Sequence, residues 1–338
     1  MFRKALRAAG WWLANGAILR LSHDRSLDPL SRRLDSIESV LREIASSNRA
    51  SSVPPVERVP EGAHIAHVEG VDPFWIRTHP IERDEYISRE IIDHGTWEKF
   101  ETEVARRLLK HFEIFIDIGA NIGWYSVIAQ RVMRQGSKVY AFEPDPGNFS
   151  LLCENVKRSS VVSVLPIASA VSDKVGQARL FHSPTNMGDH QLYSSKEGRD
   201  FQDVPVTTLA AFFEGQTVSP TLVKMDTQGS EPRIFRAGGP ILSPSARQSA
   251  FIVEFWPYGV SSSGESVGEF IEYLSTFPHQ PFIIDHQRCR LQAISWNSLK
   301  SRSETDLAPP TGAFVDLLLV TRGSPAFLAV ADIMDDPK

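Results

Sequence analysis

Cysteine is scarce in this sequence, with two residues, Cys153 and Cys289, among 338. Two thiols cannot by themselves form a structural zinc site or the disulfide framework of a small secreted domain, so a reducing compartment is expected. An excess of basic charge is also lacking, because 36 Lys and Arg residues are outnumbered by 41 Asp and Glu residues, for a net charge of −5. That balance argues against a nucleic acid as the main partner.

A membrane-spanning run is missing from the start of the chain as well. The apolar stretch from Ala8 to Leu19, AAGWWLANGAIL, contains Asn15 and is shorter than the roughly 20 residues that a spanning helix needs. Basic residues precede it, but no small-x-small cleavage pattern follows. We predict that residues 1–21 form a basic, aromatic helix, which lies on a membrane surface or docks on the protein's own body.

Leucine and isoleucine then recur at alternating spacings of three and four. The residues with this spacing are Leu27, Leu30, Leu34, Ile37, Leu41 and Ile44. The pattern is typical of the apolar seam of a short coiled coil, and a single amphipathic helix packed on the body is the alternative. The segment SSNRASSVPP that follows is typical of a linker, so we expect self-association through residues 27–44.

The rest of the chain alternates between short apolar runs and segments with helical spacing. Runs such as EIFIDIG, KVYAFEP, TLVKMD and FIVEFW predict buried parallel strands, and the segments between them predict helices. The predicted fold is α/β, a doubly wound, mostly parallel, seven-stranded Rossmann-like sheet with an N-terminal helical extension. We expect helix and coiled coil over 1–50, a linker and lead-in over 51–94, the main domain over 95–325, and a tail over 326–338.

Two acids end the first two predicted strands of the domain. Asp117 opens a glycine-containing turn, DIGANIG, that holds Gly119, Asn121 and Gly123, and Glu143 ends the next strand. An acid at the second position commonly accepts hydrogen bonds from two ribose hydroxyls, and a helix N-terminus suits a carboxylate. A ligand with ribose, ammonium and carboxylate groups therefore fits better than one with a pyrophosphate, and S-adenosylmethionine has these three groups.

Several phrases closely resemble the FkbM-type family of S-adenosylmethionine-dependent methyltransferases. They are FIDIGANIGWYS, the acid of AFEPDP, AVSD, VKMDTQGSE, NMGDHQLY, VPVTTL and VEFWPYG, and they run from about Gly95 to Arg322. The resemblance implies a class I methyltransferase sheet, with the cofactor above its first two strands, and usually O-methylation.

The same resemblance assigns roles to individual positions. It implies that Asp117, Gly119, Asn121 and Gly123 form the cofactor loop, and that Glu143 binds the ribose. It also implies that Ala170 and Val171 flank the adenine, and that Glu98, next to Trp97, closes over the cofactor.

Methyl transfer to a hydroxyl needs a base close to the acceptor oxygen. Asp226, at the end of the predicted fourth strand, is the first candidate, and His190, in the polar phrase NMGDHQLY, is the second. A surface histidine in a loop is the alternative interpretation of His190.

Two further acids and two aromatic residues follow at the same predicted sheet edge. Glu231 and Glu254 are candidates for binding acceptor hydroxyls, although Glu231 also fits a helix-dipole role and the acids together could hold a divalent ion. Trp256 and Tyr258 are candidates for an aromatic wall against a glycan ring, with core packing as the alternative. We expect no metal to be required, because the leaving group of methyl transfer from a sulfonium is neutral.

The sequence thus predicts an S-adenosylmethionine-dependent methyltransferase that acts on a hydroxyl of a glycan or glycolipid precursor. A polyketide or other small-molecule hydroxyl is the first alternative. A nicotinamide-dependent oxidoreductase and a non-catalytic coiled-coil scaffold rank below it, because a third loop glycine and a Tyr-x-x-x-Lys pair are missing and no motif is degraded. The expected location is the cytoplasm, at the inner membrane surface if the N-terminal helix binds lipid.

Overall fold

A central eight-stranded sheet dominates the computed structural model, which describes residues 59–156, 162–194, 198–216 and 220–335. The helix predicted over residues 1–21 and the coiled coil predicted over residues 27–44 lie outside the described residues. None of the helices in the described ranges is both long and apolar enough to cross a bilayer.

The strands and helices follow one another as the hydrophobic pattern predicts. In chain order the strands are β1 (Ala63–Ala66), β2 (Phe74–Arg77), β3 (Ile114–Ile118), β4 (Lys138–Phe142), β5 (Ser163–Ile167), β6 (Ala170–Val171), β7 (Gly176–Phe181), β8 (Phe201–Thr207), β9 (Thr221–Met225), β10 (Ala250–Phe255), β11 (Gln280–Asp285), β12 (Arg290–Ala293) and β13 (Val315–Val320). The helices are α1 (Ile87–His94), α2 (Lys99–Leu109), α3 (Trp124–Val132), α4 (Pro146–Val156), α5 (Leu209–Phe212), α6 (Glu231–Arg236), α7 (Pro257–Ser262), α8 (Val267–Ser275), α9 (Trp296–Ser303) and α10 (Pro325–Ala329).

The large sheet has the strand order β12-β11-β13-β10-β9-β3-β4-β5. The five strands from β10 to β5 are parallel to one another, whereas β13 is antiparallel to both β10 and β11. The order reverses between β3 and β9, which lie side by side although β9 comes much later in the chain. In such sheets ligands bind beyond the carboxyl ends of the strands at the reversal, here the ends of β3 and β9.

Helices cover both faces of this sheet. Phe115 and Leu222 belong to the apolar cluster that includes α2, α3 and α4, while Ile116 and Val223 belong to the cluster on the opposite face. Because successive side chains of a strand point to opposite faces, strands buried on both sides need continuous apolar runs. The predicted doubly wound, mostly parallel α/β architecture is confirmed.

The predicted number of seven strands is wrong, because β12 adds an eighth at the edge of the sheet. This strand forms an antiparallel hairpin with β11, in which Asp285 pairs with Arg290. Only Leu291 is buried among its four residues. An edge strand with one buried side chain has too weak an apolar pattern to be recognised from the sequence.

A separate three-stranded sheet, in the order β6-β8-β7, lies in the chain after the third parallel strand. Ala170 and Val171, which the family resemblance places beside the adenine, form β6 and pair in parallel with Val206 and Thr207. This pairing gives the short segment a fixed backbone, which a simple loop would not have.

The lead-in to the domain also packs on the main core. Strands β1 and β2 form an antiparallel hairpin, and their residues Ala66, Phe74 and Ile76 join the apolar cluster that contains α1 and α2. The domain boundaries at residues 50, 94 and 325 remain predictions.

Asn155 of α4 connects this hairpin to the body. Its side-chain oxygen accepts the Arg77 N–H at 2.7 Å, and its amide donates to the carbonyl oxygens of Arg77 at 3.0 Å and Ile122 at 2.8 Å. We expect Asn155→Ala to lower the free energy of unfolding by about 3 kcal/mol, because one buried and two partly buried hydrogen bonds are lost. Chemical denaturation measures this change.

Glu154→Ala is the matched control, because it removes only the partly exposed ion pair between Glu154 and Arg77. That pair contributes less than about 1 kcal/mol. Equal effects of the two variants would contradict the role given to Asn155.

Candidate active site

The turn between β3 and α3 depends on two glycines with left-handed backbone. Gly119 has φ 81°, and a Cβ there would collide with the backbone carbonyl of Asp226, so the turn lies directly against the end of β9. Gly123 has φ 89°, and a Cβ there would come within 2.6 Å of the Leu152 side chain. The two positions therefore require glycine for backbone conformation and for space.

Glu143 lies at the end of β4, opposite this turn. One carboxylate oxygen accepts the Asn121 N–H at 2.7 Å, and the other accepts the Asp145 N–H at 2.8 Å. Burial nevertheless raises the pKa of Glu143 to about 8, since these two donors only partly compensate for lost hydration. The carboxyl group is thus fixed in position by the backbone at the ends of two neighbouring strands.

Asn121 links the turn to a more distant segment. Its side-chain amide donates to the carbonyl oxygen of Met187 at 2.9 Å, and the amide of Asn148 donates to the same oxygen at 2.9 Å. Residues 187–193 are therefore held over the carboxyl end of the sheet by two side-chain amides, of which that of Asn148 is buried and that of Asn121 half-buried. We call these residues the partition segment.

A first cleft of about 510 Å³ lies between the turn, Glu143 and the partition segment. Its lining includes the predicted cofactor residues Gly119, Asn121, Glu143, Ala170 and Val171, together with His190 and Asp226 from the predicted catalytic pair. It continues into a smaller recess lined by Trp97, Tyr125 and Lys224. The structure thus brings most of the predicted cofactor residues into one cleft.

Asp117 and Glu98 are placed differently from those residues, because neither lines the first cleft or its recess. Asp117 is buried and accepts a hydrogen bond from Ser126 Oγ at 2.7 Å, and burial raises its pKa to about 6. Glu98 accepts a hydrogen bond from the Tyr125 hydroxyl at 2.7 Å, and burial raises its pKa well above the usual value. Each of the two carboxyl groups is thus hydrogen-bonded to a side chain of α3.

Lys224 of β9 lies among carboxyl groups and was not predicted from the sequence. Its Nζ lies 3.3 Å from Glu101 Oε1, 3.4 Å from Asp226 Oδ2 and 4.6 Å from the centre of the Tyr125 ring. Burial opposes its charge, but the neighbouring acids, Glu101 first, raise the pKa of Lys224 above its usual value. A lysine in a strand usually indicates an exposed face, and its neighbour Glu101 comes from α2, which is distant in sequence.

Asp226 is held on both carboxylate oxygens. Lys224 contacts Oδ2, and the side-chain amide of Gln228 donates to Oδ1 at 2.8 Å. The same amide lies 3.0 Å from a carboxylate oxygen of Glu254, so Gln228 bridges the ends of β9 and β10. Gln228 has φ 55°, a left-handed conformation that is uncommon outside glycine, and it is another residue that sequence reasoning missed.

His190 lies in the partition segment with its side chain 6% exposed. Its Nδ1 accepts the Ser183 N–H at 3.1 Å, so the neutral ring carries its proton on Nε2. Burial lowers the pKa of His190 to about 4, and the ring is therefore neutral at pH 7. Nδ1 already accepts a hydrogen bond and Nε2 carries a proton, so neither nitrogen can receive the proton of the substrate hydroxyl.

Asp145, His182 and His190 form a group whose ligand atoms lie within 4.8 Å of one another, which is close enough for a metal ion. His182 Nδ1 lies 3.5 Å from Asp145 Oδ2, and His190 Nε2 lies 3.9 Å from the same oxygen. Metal coordination by Nε2 requires a lone pair there, but this tautomer of His190 places a proton on that atom. The geometry of His190 therefore does not favour a metal at this group.

Glu231 and Glu254 have different surroundings, and neither lines the first cleft or the recess. Glu231 is fully buried and accepts hydrogen bonds from the Thr227 N–H at 2.8 Å and the Gly229 N–H at 3.0 Å. It therefore shapes the loop after β9. Glu254 accepts from Gln228, and burial together with the charge of Asp226 raises its pKa well above the usual value.

Trp256 and Tyr258 line a second cleft of about 1060 Å³ on the other side of the partition segment. The Trp256 Nε1–H donates to the carbonyl oxygen of Gly312 at 3.0 Å, and the two rings lie 5.3 Å apart. Arg199, which was not predicted as a site residue, also lines this cleft. The predicted aromatic wall is thus placed at a large open cleft rather than in the core.

Comparison with known proteins identifies the class to which this site belongs. Residues 117–278 match the family described as the methyltransferase FkbM domain. This part of the chain therefore matches methyltransferase domains of the FkbM type, as the sequence resemblance predicts.

One curated relative is the hexuronic acid methyltransferase AglP of Haloferax volcanii, with 27% identity over 139 residues. That match covers 40% of this chain and 55% of the relative, so the chain spans about half the length of the curated protein it matches.

Among solved structures, an O-methyltransferase of Bacillus cereus in complex with SAH is similar, with 10% identity and a TM-score of 0.35 over 65% of this chain and 80% of that one. A precorrin-6y C5,15-methyltransferase of Geobacter metallireducens has 12% identity and a TM-score of 0.35, over 72% of this chain and 100% of that one. Both likenesses are distant, and the strand order described above defines the fold independently of them.

The pKa of Glu143 leads to a prediction about stability. A carboxyl group whose pKa rises from 4.5 to about 8 on folding binds a proton in the folded state, so its contribution is complete below about pH 4.5 and is lost as the pH rises towards 8. We expect the free energy of unfolding of the wild type, relative to Glu143→Gln, to fall between pH 5 and pH 8, with a slope of up to about 1.4 kcal/mol per pH unit.

Denaturation midpoints at several pH values measure this difference, and the comparison with Glu143→Gln cancels the titration of other groups. A difference that stays constant over the range, or that grows with pH, would show that Glu143 is ionised in the folded protein throughout.

Proposed function

We propose that the domain transfers a methyl group from S-adenosylmethionine to a hydroxyl of a glycan or glycolipid precursor. The observation that carries the proposal is the carboxylate of Glu143, fixed by the N–H groups of Asn121 and Asp145 at the mouth of the first cleft. A carboxylate so placed beside a helix N-terminus and a glycine turn suits a ribose diol.

The residues of the first cleft fit this cofactor. Because Gly119 has no Cβ, the turn that lines this cleft packs directly against the backbone of Asp226. Ala170 and Val171 offer buried apolar surface suited to an adenine ring. Trp97 and Tyr125 line the recess, and Lys224 brings to it a positive charge that suits the carboxylate of the cofactor.

When bound, the sulfonium of S-adenosylmethionine supplies a carbon that is already activated for displacement. The chain must then align the acceptor oxygen, exclude water and receive the hydroxyl proton, and alignment alone can contribute several kcal/mol. Asp226 is at the right place to receive that proton, because it lies in both the first cleft and its recess.

Asp226 is the better base of the two predicted candidates. Its carboxylate has a balancing cation in Lys224, and Gln228 orients it without occupying all of its lone pairs. His190 has no free lone pair in the tautomer described above. We assign His190 to the wall of the first cleft and the proton transfer to Asp226.

We expect Asp226→Asn to reduce turnover by about 100-fold or more, because the base is lost while the shape of the cleft is kept. Its affinity for S-adenosylmethionine should stay near that of the wild type. Calorimetry measures binding, and the formation of S-adenosylhomocysteine with a glycolipid extract of the host measures turnover.

Glu143→Ala is the complementary variant and should weaken S-adenosylmethionine binding by at least about tenfold, since the ribose loses a hydrogen-bonding partner. Normal turnover by Asp226→Asn would show that another group accepts the proton. Normal cofactor binding by Glu143→Ala would overturn the proposed cofactor site.

A glycan acceptor is supported by the aromatic lining of the second cleft and by the relative AglP, whose name describes a hexuronic acid methyltransferase. Mass spectrometry of host surface glycans, with and without the protein, tests this part of the proposal. Glycans lighter by one methylene unit in its absence support it, and unchanged glycans contradict it.

The N-terminal segment completes the proposal. We propose that residues 1–21 bring the enzyme to the cytoplasmic face of the inner membrane, where a lipid-linked acceptor would be, and that residues 27–44 join copies of the chain. The evidence is the basic, aromatic composition of the first segment and the heptad spacing of the second.

Leu34→Asp in the full chain should lower the oligomer mass, because a charge in an apolar seam opposes association. Ser36→Asp, which adds the same charge off the seam, is the control. Sedimentation equilibrium of the two variants measures the mass, and equal masses would show that this segment does not join copies.

A further inference from the structure

The partition segment separates two clefts and contributes to both. Along it, Gly188, His190 and Leu192 line the first cleft, whereas Asp189, Gln191 and Tyr193 line the second. This alternation is that of an extended chain, in which successive side chains point to opposite sides. The two clefts therefore lie back to back across a wall that is one chain thick.

The far side of the second cleft carries a fixed aromatic surface. Trp256 is held by its hydrogen bond to Gly312, and its ring packs so closely on Gly259 that a Cβ there would collide with it. Tyr258 is 42% exposed and lies beside it. An aromatic surface that is already rigid loses little conformational freedom when it binds the apolar C–H face of a ring.

The near side of the second cleft is polar. Arg199 donates to the Asp189 carboxylate at 2.7 Å and to its carbonyl oxygen, so the two charges compensate each other. Gln191 Oε1 and the Tyr193 hydroxyl are buried without a hydrogen-bond partner among the described residues. Buried polar atoms normally have partners, so this side has hydrogen-bonding capacity beyond what the described protein groups use.

The charges that line the second cleft favour a neutral ligand over an anionic one. Arg199 and Asp189 cancel among the described lining residues, and the remaining ones are uncharged. Glu254 and Asp226, which Gln228 joins, do not line this cleft. A carboxylate on the ligand would find the one cation of the described lining, Arg199, already paired with Asp189.

We propose that the second cleft binds the acceptor as an uncharged sugar ring, stacked on Trp256 and Tyr258 and hydrogen-bonded to the polar side of the partition segment. This inference rests on the proposed function, because only methyl transfer makes the bound sugar an acceptor. It assigns Gln191, Tyr193 and Trp256 to recognition of the sugar, and it selects against a uronic acid, the substrate class in the name of the relative AglP.

Saturation-transfer NMR on the full chain tests the proposal with simple probes at pH 7. The neutral probes are the methyl glycosides of glucose, galactose, mannose and rhamnose, and the anionic probe is methyl glucuronide. We expect transfer to the ring protons of at least one neutral glycoside, and binding of the glucuronide at least about tenfold weaker, because Arg199 is already paired with Asp189 and the lining offers no second cation for the ligand's carboxylate.

Two variants connect that signal to the aromatic surface. Trp256→Ala and Tyr258→Ala should each weaken binding of the neutral glycoside by up to about tenfold. Tyr258 is partly exposed, so its replacement keeps the test valid if the Trp256 variant fails to fold. Phe201→Ala is the matched control, because Phe201 is 49% exposed on β8 and lines neither cleft.

Preference for the glucuronide, absence of binding by every neutral glycoside, or unchanged binding by the Tyr258 variant would each overturn the proposal. Calorimetry with S-adenosylmethionine on the same sample tests the donor site independently of the sugar site. Cofactor binding without sugar binding refutes only the second cleft, whereas sugar binding without cofactor binding refutes only the donor assignment.

Discussion

The close approach of two backbone segments at Gly119 is the constraint on which the site depends. Because no side chain stands there, the turn after β3 lies against the carbonyl of Asp226 at the end of β9. This contact places the N–H of Asn121 where Glu143 can accept it, and it sets Asp226, the proposed base, beside the first cleft. The proposed donor site, the proposed base and the turn thus depend on one arrangement of the backbone.

Charge balance explains why so many acids can occupy one end of the sheet. Burial raises the pKa values of Glu98, Glu101 and Glu254, and Lys224 supplies a cation within 3.4 Å of both Glu101 and Asp226. A lysine buried this deeply is stable only because its carboxylate neighbours offset the loss of hydration. Lys224 is therefore as necessary to the arrangement as the acids that the sequence pattern singles out.

The sequence predicted the strands, their mostly parallel order and the cleft at their carboxyl ends, because apolar runs and strand-end residues are local features. It could not show which strand-end side chain faces the cleft. Ile116 and Ile118 pack on one face of the sheet, so alternation turns Asp117 to the other, towards Ser126 of α3. Likewise, Gln228 and Arg199 depend on contacts between distant segments, which no spacing in the sequence encodes.

The thin wall formed by residues 187–193 has a geometric consequence for the evolution of such enzymes. Two asparagines, Asn121 and Asn148, fasten it through one carbonyl oxygen, that of Met187. A shift of the partition segment towards one cleft makes that cleft smaller and the other larger. An enzyme that evolves to bind a bulkier acceptor must therefore keep both asparagine hydrogen bonds and change the aromatic side of the second cleft. Otherwise its first cleft becomes smaller.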